Sequence, residues 1–184
     1  MDWFADAQPQ EINDAGAMAL ATYDQKHKRL SNRMVFLRGV DRTGFLFFTH
    51  LESPKSLDLQ THPNAAITFH WKSLRRQVRV EGEAVSASDE AVGSFFASRQ
   101  DKAKLDIWAS KQSQKLPSRE HLLEERASLV PPVDLGSLPK PSHWCGYRLV
   151  PDRMEFWRSD REAMHDRFVF QLEKQGWVRS LLYP

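Results

Sequence analysis

Runs of apolar residues, some alternating with polar ones, mark out short extended segments along the first half of the chain. Residues 17–23 (AMALATY) carry almost no charge and predict a buried strand. A polar turn is expected over 24–32 (DQKHKRLSN), then a second strand at 34–37. Asp41-Arg42-Thr43-Gly44 reads as a hairpin turn into a third strand at 45–49 (FLFFT). Connections this short leave no room for a crossover helix, so the three strands are expected to form an antiparallel meander. Ser53-Pro54 then signals a helix start: Ser53 can cap, and proline suits the first helical position because its missing N–H would be unpaired there anyway. That helix should stop before His62-Pro63. Strands are predicted again at 65–71 and 77–85, where Val78 and Val80 alternate with Arg79 and Glu81.

Beyond residue 86 the texture becomes helical. Ser86-Ala87-Ser88-Asp89-Glu90 opens a capped helix with Val92, Phe95 and Phe96 at helical spacing. Two more helices are expected, near 105–110 and 118–129, the last with an apolar face of Leu122, Leu123 and Leu129. Pro131, Pro132, Pro139 and Pro141 make 130–141 an extended connector. Strands near 144–150, 153–158 and 166–171 follow, with a short one at 177–182. Five strands, a helical insertion over about 87–130 and three or four further strands predict a mainly β fold with some α. The expected form is an antiparallel barrel with helices packed to one side, in one domain spanning 1–184.

Composition narrows the function classes. With 41% hydrophobic residues the chain can bury a core, and 26 Lys+Arg against 24 Asp+Glu leave a formal charge of +2. That is too little for a nucleic-acid footprint, so phosphate binding should be local. The single cysteine, Cys145, excludes an intrachain disulfide and a multi-cysteine metal site. No apolar run reaches membrane-spanning length, and the Met-Asp-Trp-Phe opening lacks the pattern of a signal peptide, so a cytoplasmic protein is expected.

Neither G-x-G-x-x-G nor a Walker-type loop is present, nor is H-E-x-x-H; a Rossmann oxidoreductase and a zinc hydrolase are disfavoured and no metal is expected. What remains is a spread of cations and amides at element ends. Arg33 and Arg38 are separated by an odd number, which puts them on opposite faces if both lie on one strand. Lys55 lies in the first turn of a helix, where N–H groups and the dipole attract an anion. Gln77 starts a strand, Gln112-Ser113 follow a helix, and Trp157 and Arg167 stand on late strands. Singly, each reads more readily as a solvated side chain than as a ligand.

Taken together, the segments RMVFLR (33–38), FFTHLESPKS (47–56), RRQVRVEG (75–82), WASKQS (108–113), PSHWCGYRL (141–149), EFW (155–157) and HDRF (165–168) resemble pyridoxamine 5′-phosphate oxidases in order and spacing. The resemblance covers nearly the whole chain from residue 17 onward. It implies an FMN-binding split β-barrel, antiparallel and Greek-key-like, working as a homodimer with two flavin sites at the interface. Arg33 and Lys55 match the family's contacts to the FMN phosphate. Met34, Val35, Arg38, Phe48, Thr49 and Gln77 match further cofactor positions. Gln112, Ser113, Trp157 and Arg167 match residues donated by the partner subunit. Arg38, Phe95, Arg99, Ala103 and His165 fall on substrate positions, with Arg99 and His165 the candidate catalytic pair. The implied reaction converts pyridoxamine or pyridoxine 5′-phosphate to pyridoxal 5′-phosphate, with O2 as acceptor and H2O2 as product.

The chain also departs from the family pattern. Pro54 replaces a phosphate-binding arginine, and Arg38 replaces a lysine, a planar fork in place of a flexible ammonium. Phe95 and Ala103 stand where the family uses Tyr and Ser, and Ala163 where it uses Arg. The N-terminal extension is short, and the C-terminal Arg-Leu-x-Pro reads Leu181-Leu182-Tyr183-Pro184. The flavin site is thus largely kept while the substrate-phosphate site is eroded. Two alternatives follow: an FMN oxidoreductase of this fold acting on another planar substrate, as in phenazine biosynthesis, or a flavin-binding protein without turnover.

Overall fold

The computed structural model describes residues 2–129, 138–159 and 164–184. Among these, nine strands form one sheet: β1 (Ala17–Asp24), β2 (Arg29–Phe36), β3 (Gly39–Asp41), β4 (Gly44–His50), β5 (Asn64–Trp71), β6 (Arg76–Ser86), β7 (Trp144–Arg158), β8 (Asp166–Glu173) and β9 (Gly176–Leu181). The helices are α1 (Trp3–Ala7), α2 (Pro54–Thr61), α3 (Asp89–Ala97), α4 (Asp101–Ala109) and α5 (Arg119–Ser128). The strand order is β2-β1-β5-β6-β7-β4-β3, with β8 against β7 and β9 against β8.

The chain divides into two compact units. One comprises Met1–Phe47, Asp58–Val85 and Arg148–Pro184; the other comprises Phe48–Leu57 and Ser86–Tyr147. In the first, alternation along the strands builds the core: β1 turns Met18, Leu20 and Thr22 inward, and Phe47, Ile67, Phe69, Val80 and Leu149 are almost fully buried with them. Each such apolar side chain contributes roughly 1.5–3 kcal/mol of transfer free energy. The second unit holds α3, α4 and α5. Ser88 caps α3 by accepting from the Ala91 N–H (3.2 Å), and Val92 and Phe96 are its buried residues.

Several expectations need correction. β2 begins at Arg29 rather than at 34, because Lys28 takes φ +52 and closes a tight turn inside the polar stretch. The first three strands are not a meander. β1 pairs with β2 and β5, whereas β4 lies between β7 and β3. α4 begins at Asp101, four residues before the expected start, and α5 buries none of its residues, with Leu123 half-exposed. The two strands expected at 144–150 and 153–158 are one strand that runs through Pro151. Gly82 on β6 permits this: a Cβ there would lie 2.0 Å from the Val150 carbonyl oxygen and 2.9 Å from the Pro151 Cα. Arg38 lies past the end of β2, its N–H bonded to the Leu46 carbonyl (2.8 Å), so strand alternation with Arg33 does not apply. Residues 130–137 of the expected connector and Ala163 fall outside the described residues.

Candidate functional site

The start of α2 gathers a polar cluster. The Ser53 carbonyl accepts from the N–H groups of Ser56 (2.9 Å) and Leu57 (3.0 Å), which closes the first turn around the fully buried Ser53. Lys55, in that turn, folds its side chain back over it. Its Nζ donates to Thr49 Oγ1 (3.1 Å), Ser53 Oγ (3.1 Å) and Gln112 Oε1 (2.7 Å). Thr49 Oγ1 also donates to Gln112 Oε1 (3.1 Å), and Thr49, Ser53 and Lys55 are all buried. An ammonium removed from water is costly unless its donors are satisfied; here two hydroxyls and a carboxamide oxygen accept from it. An ammonium and two hydroxyls lie together at a helix start, and a phosphate reaching them would take over donors now given to Gln112 and to one another.

Gln112 comes from the turn after α4, where Ser113 holds φ +70, a conformation rarely adopted outside glycine and one that clusters at functional sites. The resemblance assigns Gln112 to the partner subunit. In the structure it meets Lys55 of its own chain, because the turn after Ala109 leads straight back to the β4 end within the same unit.

In the other unit, Arg33 on β2 is half-buried. Its Nη1 donates to Thr22 Oγ1 (2.7 Å) and to the Leu20 carbonyl (3.1 Å), and its Nη2 lies 3.9 Å from Asp58 Oδ2. Met34 is 64% exposed and Val35 half-buried on the same strand. Arg38 is exposed, with its guanidinium 5.0 Å from the Phe36 ring centre. Gln77 faces His70 in the β5–β6 register. Trp157 and Arg167 are direct partners across β7 and β8. The His165 ring centre lies 4.9 Å from that of Trp157, and its buried Nδ1 has no hydrogen-bond partner among the described residues.

The substrate positions on α3 and α4 read differently from the family pattern in space as well as in sequence. The Phe95 ring stacks on Phe48, centres 4.1 Å apart and planes 12° apart, and the Arg99 guanidinium lies 5.5 Å from the Phe95 ring centre. Gly146 makes room for this, since a Cβ there would lie 2.7 Å from Phe48 Cδ1. Ala103 is half-buried in the first turn of α4 and brings no hydroxyl. The cluster is flat, aromatic and singly cationic.

Three features escaped the sequence reading. Ser53 was read only as a cap, although its spacing from Lys55 within one turn carried the signal. Glu155 shares an alternation face with Trp157, which the strand period offered but did not single out. The third is His50, buried beside the site with its ring 4.3 Å from that of His143. Burial first, and then the neighbouring His143, push the His50 imidazole below its ordinary pKa; Glu52 opposes this. Its Nδ1 accepts from the Glu52 N–H (3.2 Å), a bond that protonation at Nδ1 would remove. A histidine whose folded-state pKa is depressed leaves stability intact above its unfolded value of about 6.5 and reduces it as pH falls below that value. Denaturation midpoints are therefore expected to be flat above about pH 7 and to drop toward pH 5.5. His50→Asn should flatten that drop; an unchanged pH profile in the variant would exclude His50 as its source.

Comparison with known proteins places the chain among close relatives. Residues 4–125 match the family described as pyridoxamine 5′-phosphate oxidase, and residues 144–184 match the pyridoxine 5′-phosphate oxidase C-terminal dimerisation region. The chain is 45% identical to a pyridoxine/pyridoxamine 5′-phosphate oxidase of Rhodospirillum rubrum, over 100% of this chain and 93% of the relative. A counterpart in Caulobacter vibrioides is 42% identical over 100% of this chain and 82% of its own length. Among solved structures, PhzG from Burkholderia lata in complex with tetrahydrophenazine-1-carboxylic acid superposes with a TM-score of 0.91 at 30% identity, covering 99% of this chain and 89% of that one. A pyridoxamine 5′-phosphate oxidase-related FMN-binding protein from Nostoc punctiforme shares the fold, with a TM-score of 0.78 at 21% identity over 98% and 95%.

Proposed function

The chain belongs to the pyridoxamine 5′-phosphate oxidase family, and from that premise we propose that it oxidises pyridoxamine or pyridoxine 5′-phosphate to pyridoxal 5′-phosphate, with FMN as cofactor and O2 as acceptor. The observation that carries the reading is the cluster at the start of α2, where the buried Lys55, Thr49 and Ser53 meet the exposed Gln112. Its ammonium and hydroxyls would hold the FMN phosphate, a role the resemblance also assigns to Arg33. The resemblance assigns Met34, Val35, Arg38, Phe48, Gln77, Ser113, Trp157 and Arg167 to the rest of the cofactor contacts. FMN bound by these residues would supply the hydride acceptor for a two-electron oxidation whose final acceptor is O2, with H2O2 as product. The resemblance assigns Arg38, Arg99 and His165 to the substrate, and the His165 Nδ1 has no hydrogen-bond partner among the described residues.

A homodimer completes the sites. The 144–184 match to a dimerisation region supports this, and so does β2. This strand ends the sheet path and exposes Leu30 (82%), Met34 (64%) and Phe36 (43%), apolar surface suited to burial against a second copy.

A second reading is favoured by the Phe48–Phe95 stack and by the likeness to PhzG: the same site takes a planar aromatic carboxylate. O2 uptake by the purified yellow protein tests both. Uptake with matching H2O2 is expected with the two phosphorylated vitamers and not with their unphosphorylated forms. No uptake with either vitamer, alongside oxidation of a tetrahydrophenazine carboxylate, would overturn the first reading in favour of the second.

A further inference from the structure

Arg167, read above as an FMN contact, does not stand alone. Its Nε and Nη2 both donate to Glu155 Oε1 (3.0 and 2.8 Å), and its Nη1 donates to the Tyr183 carbonyl (2.9 Å). Glu155 sits on β7 diagonally across from Arg167 on β8, since Glu155 pairs with Val169 and Trp157 with Arg167. Its side chain is 3% exposed. The second carboxylate oxygen faces Arg79 Nη1 (3.4 Å) and Arg153 Nη2 (3.6 Å). Those two arginines also share Glu81 Oε1, at 2.8 and 2.9 Å. Three guanidinium groups thus meet two carboxylates, leaving one net positive charge on the cluster.

We propose that Glu155 is a positioning residue for the flavin site: by gripping one edge of Arg167 it fixes the guanidinium plane and aims the remaining donors at FMN. The inference rests on the reading of Arg167 as a cofactor contact. Arginine has five N–H donors. Among the described residues, Glu155 and Tyr183 engage three of them, so two remain for a ligand, and their direction is set because the fork is planar and rigid. The arrangement also answers why a carboxylate lies buried beside a cofactor that carries a phosphate. A free carboxylate there would repel the anion, but this one is more than neutralised by the arginines around it, and what it adds is orientation. Partners of this kind, which touch a ligating residue rather than the ligand, typically contribute about 10–100-fold in affinity at metal sites.

Charge and orientation predict opposite outcomes for Glu155→Gln. Removing a negative charge near an anionic cofactor should tighten FMN binding if electrostatics alone matter. If Glu155 positions Arg167, the FMN dissociation constant should rise by about tenfold. The measurement is titration of the full-length apoprotein by quenching of flavin fluorescence, for Glu155→Gln, Arg167→Lys and the double variant. Positioning requires that Glu155→Gln add little once Arg167 is already changed, whereas a role confined to holding β7 and β8 together would give additive effects. Glu155→Asp, which keeps the charge but shortens its reach, is expected to weaken binding in the same direction, and it decides the matter should the glutamine variant not fold. Unchanged or tighter binding in the Glu155 variants, with weaker binding in Arg167→Lys, would overturn the positioning role alone. Unchanged binding in Arg167→Lys would overturn the cofactor contact, and the positioning role with it.

Discussion

Lys55→Met protein is expected to purify almost colourless while remaining folded. The Lys55 ammonium is buried and donates to two hydroxyls and one carboxamide, acceptors that a phosphate oxygen would replace. A hydrogen bond to a charged group contributes about 1.5–3 kcal/mol, which corresponds to roughly ten- to 150-fold in the FMN Kd. Methionine keeps the apolar stem and removes the charge together with its N–H donors. Because a buried ammonium carries a desolvation cost, the apoprotein should melt at the same temperature as wild type or above it, while the FMN-induced rise in melting temperature disappears. Arg33→Ala makes the contrast. It should also yield mostly colourless protein, but with a less stable apoprotein, because Arg33 ties β2 to the Leu20 carbonyl and Thr22 on β1 and faces Asp58. Full flavin occupancy in Lys55→Met would remove Lys55 from the site.

Restoring the two missing hydroxyls should repair the substrate site without touching the chemistry. Phe95→Tyr combined with Ala103→Ser is expected to lower the KM for pyridoxamine 5′-phosphate by several-fold to about 100-fold, with kcat nearly unchanged. The hydroxyls would contact the substrate phosphate equally in ground and transition state, which is binding that moves KM and not kcat. The fold tolerates the change: Phe95 stacks face to face on Phe48, so a para hydroxyl leaves the stack and the Arg99 contact in place. Steady-state kinetics over a wide substrate range makes the separation. An unchanged KM in the double variant would mean that these positions do not face a phosphate, and would favour the planar aromatic carboxylate as substrate.

Much of the local architecture was legible in the chain. Lack of charge marked β1 as a buried strand, alternation of Val78 and Val80 located the core face of β6, Ser53-Pro54 and His62-Pro63 bracketed α2, and Ser88 announced α3. These signals involve residues two to four apart, and short-range backbone geometry expresses them whatever the rest of the molecule does. The proposed FMN contacts were legible only through resemblance, since a lysine in a first turn or an arginine on a strand has no distinctive local signature.

The tertiary structure decided what lies far apart in sequence. β4 packs between β3 and β7 because pairing follows which faces bury one another, and the apolar run at 45–49 would suit either neighbour. Pro151 reads as a break but lies inside a strand, because Gly82, on another strand, leaves space for it. Lys55 meets Gln112 across 57 positions, and Glu155 grips Arg167 across a strand pair. Polar groups satisfied over such separations leave no periodicity in the chain. Their partners are chosen by the cost of burying an unpaired charge, and that cost exists only once the fold has taken water away.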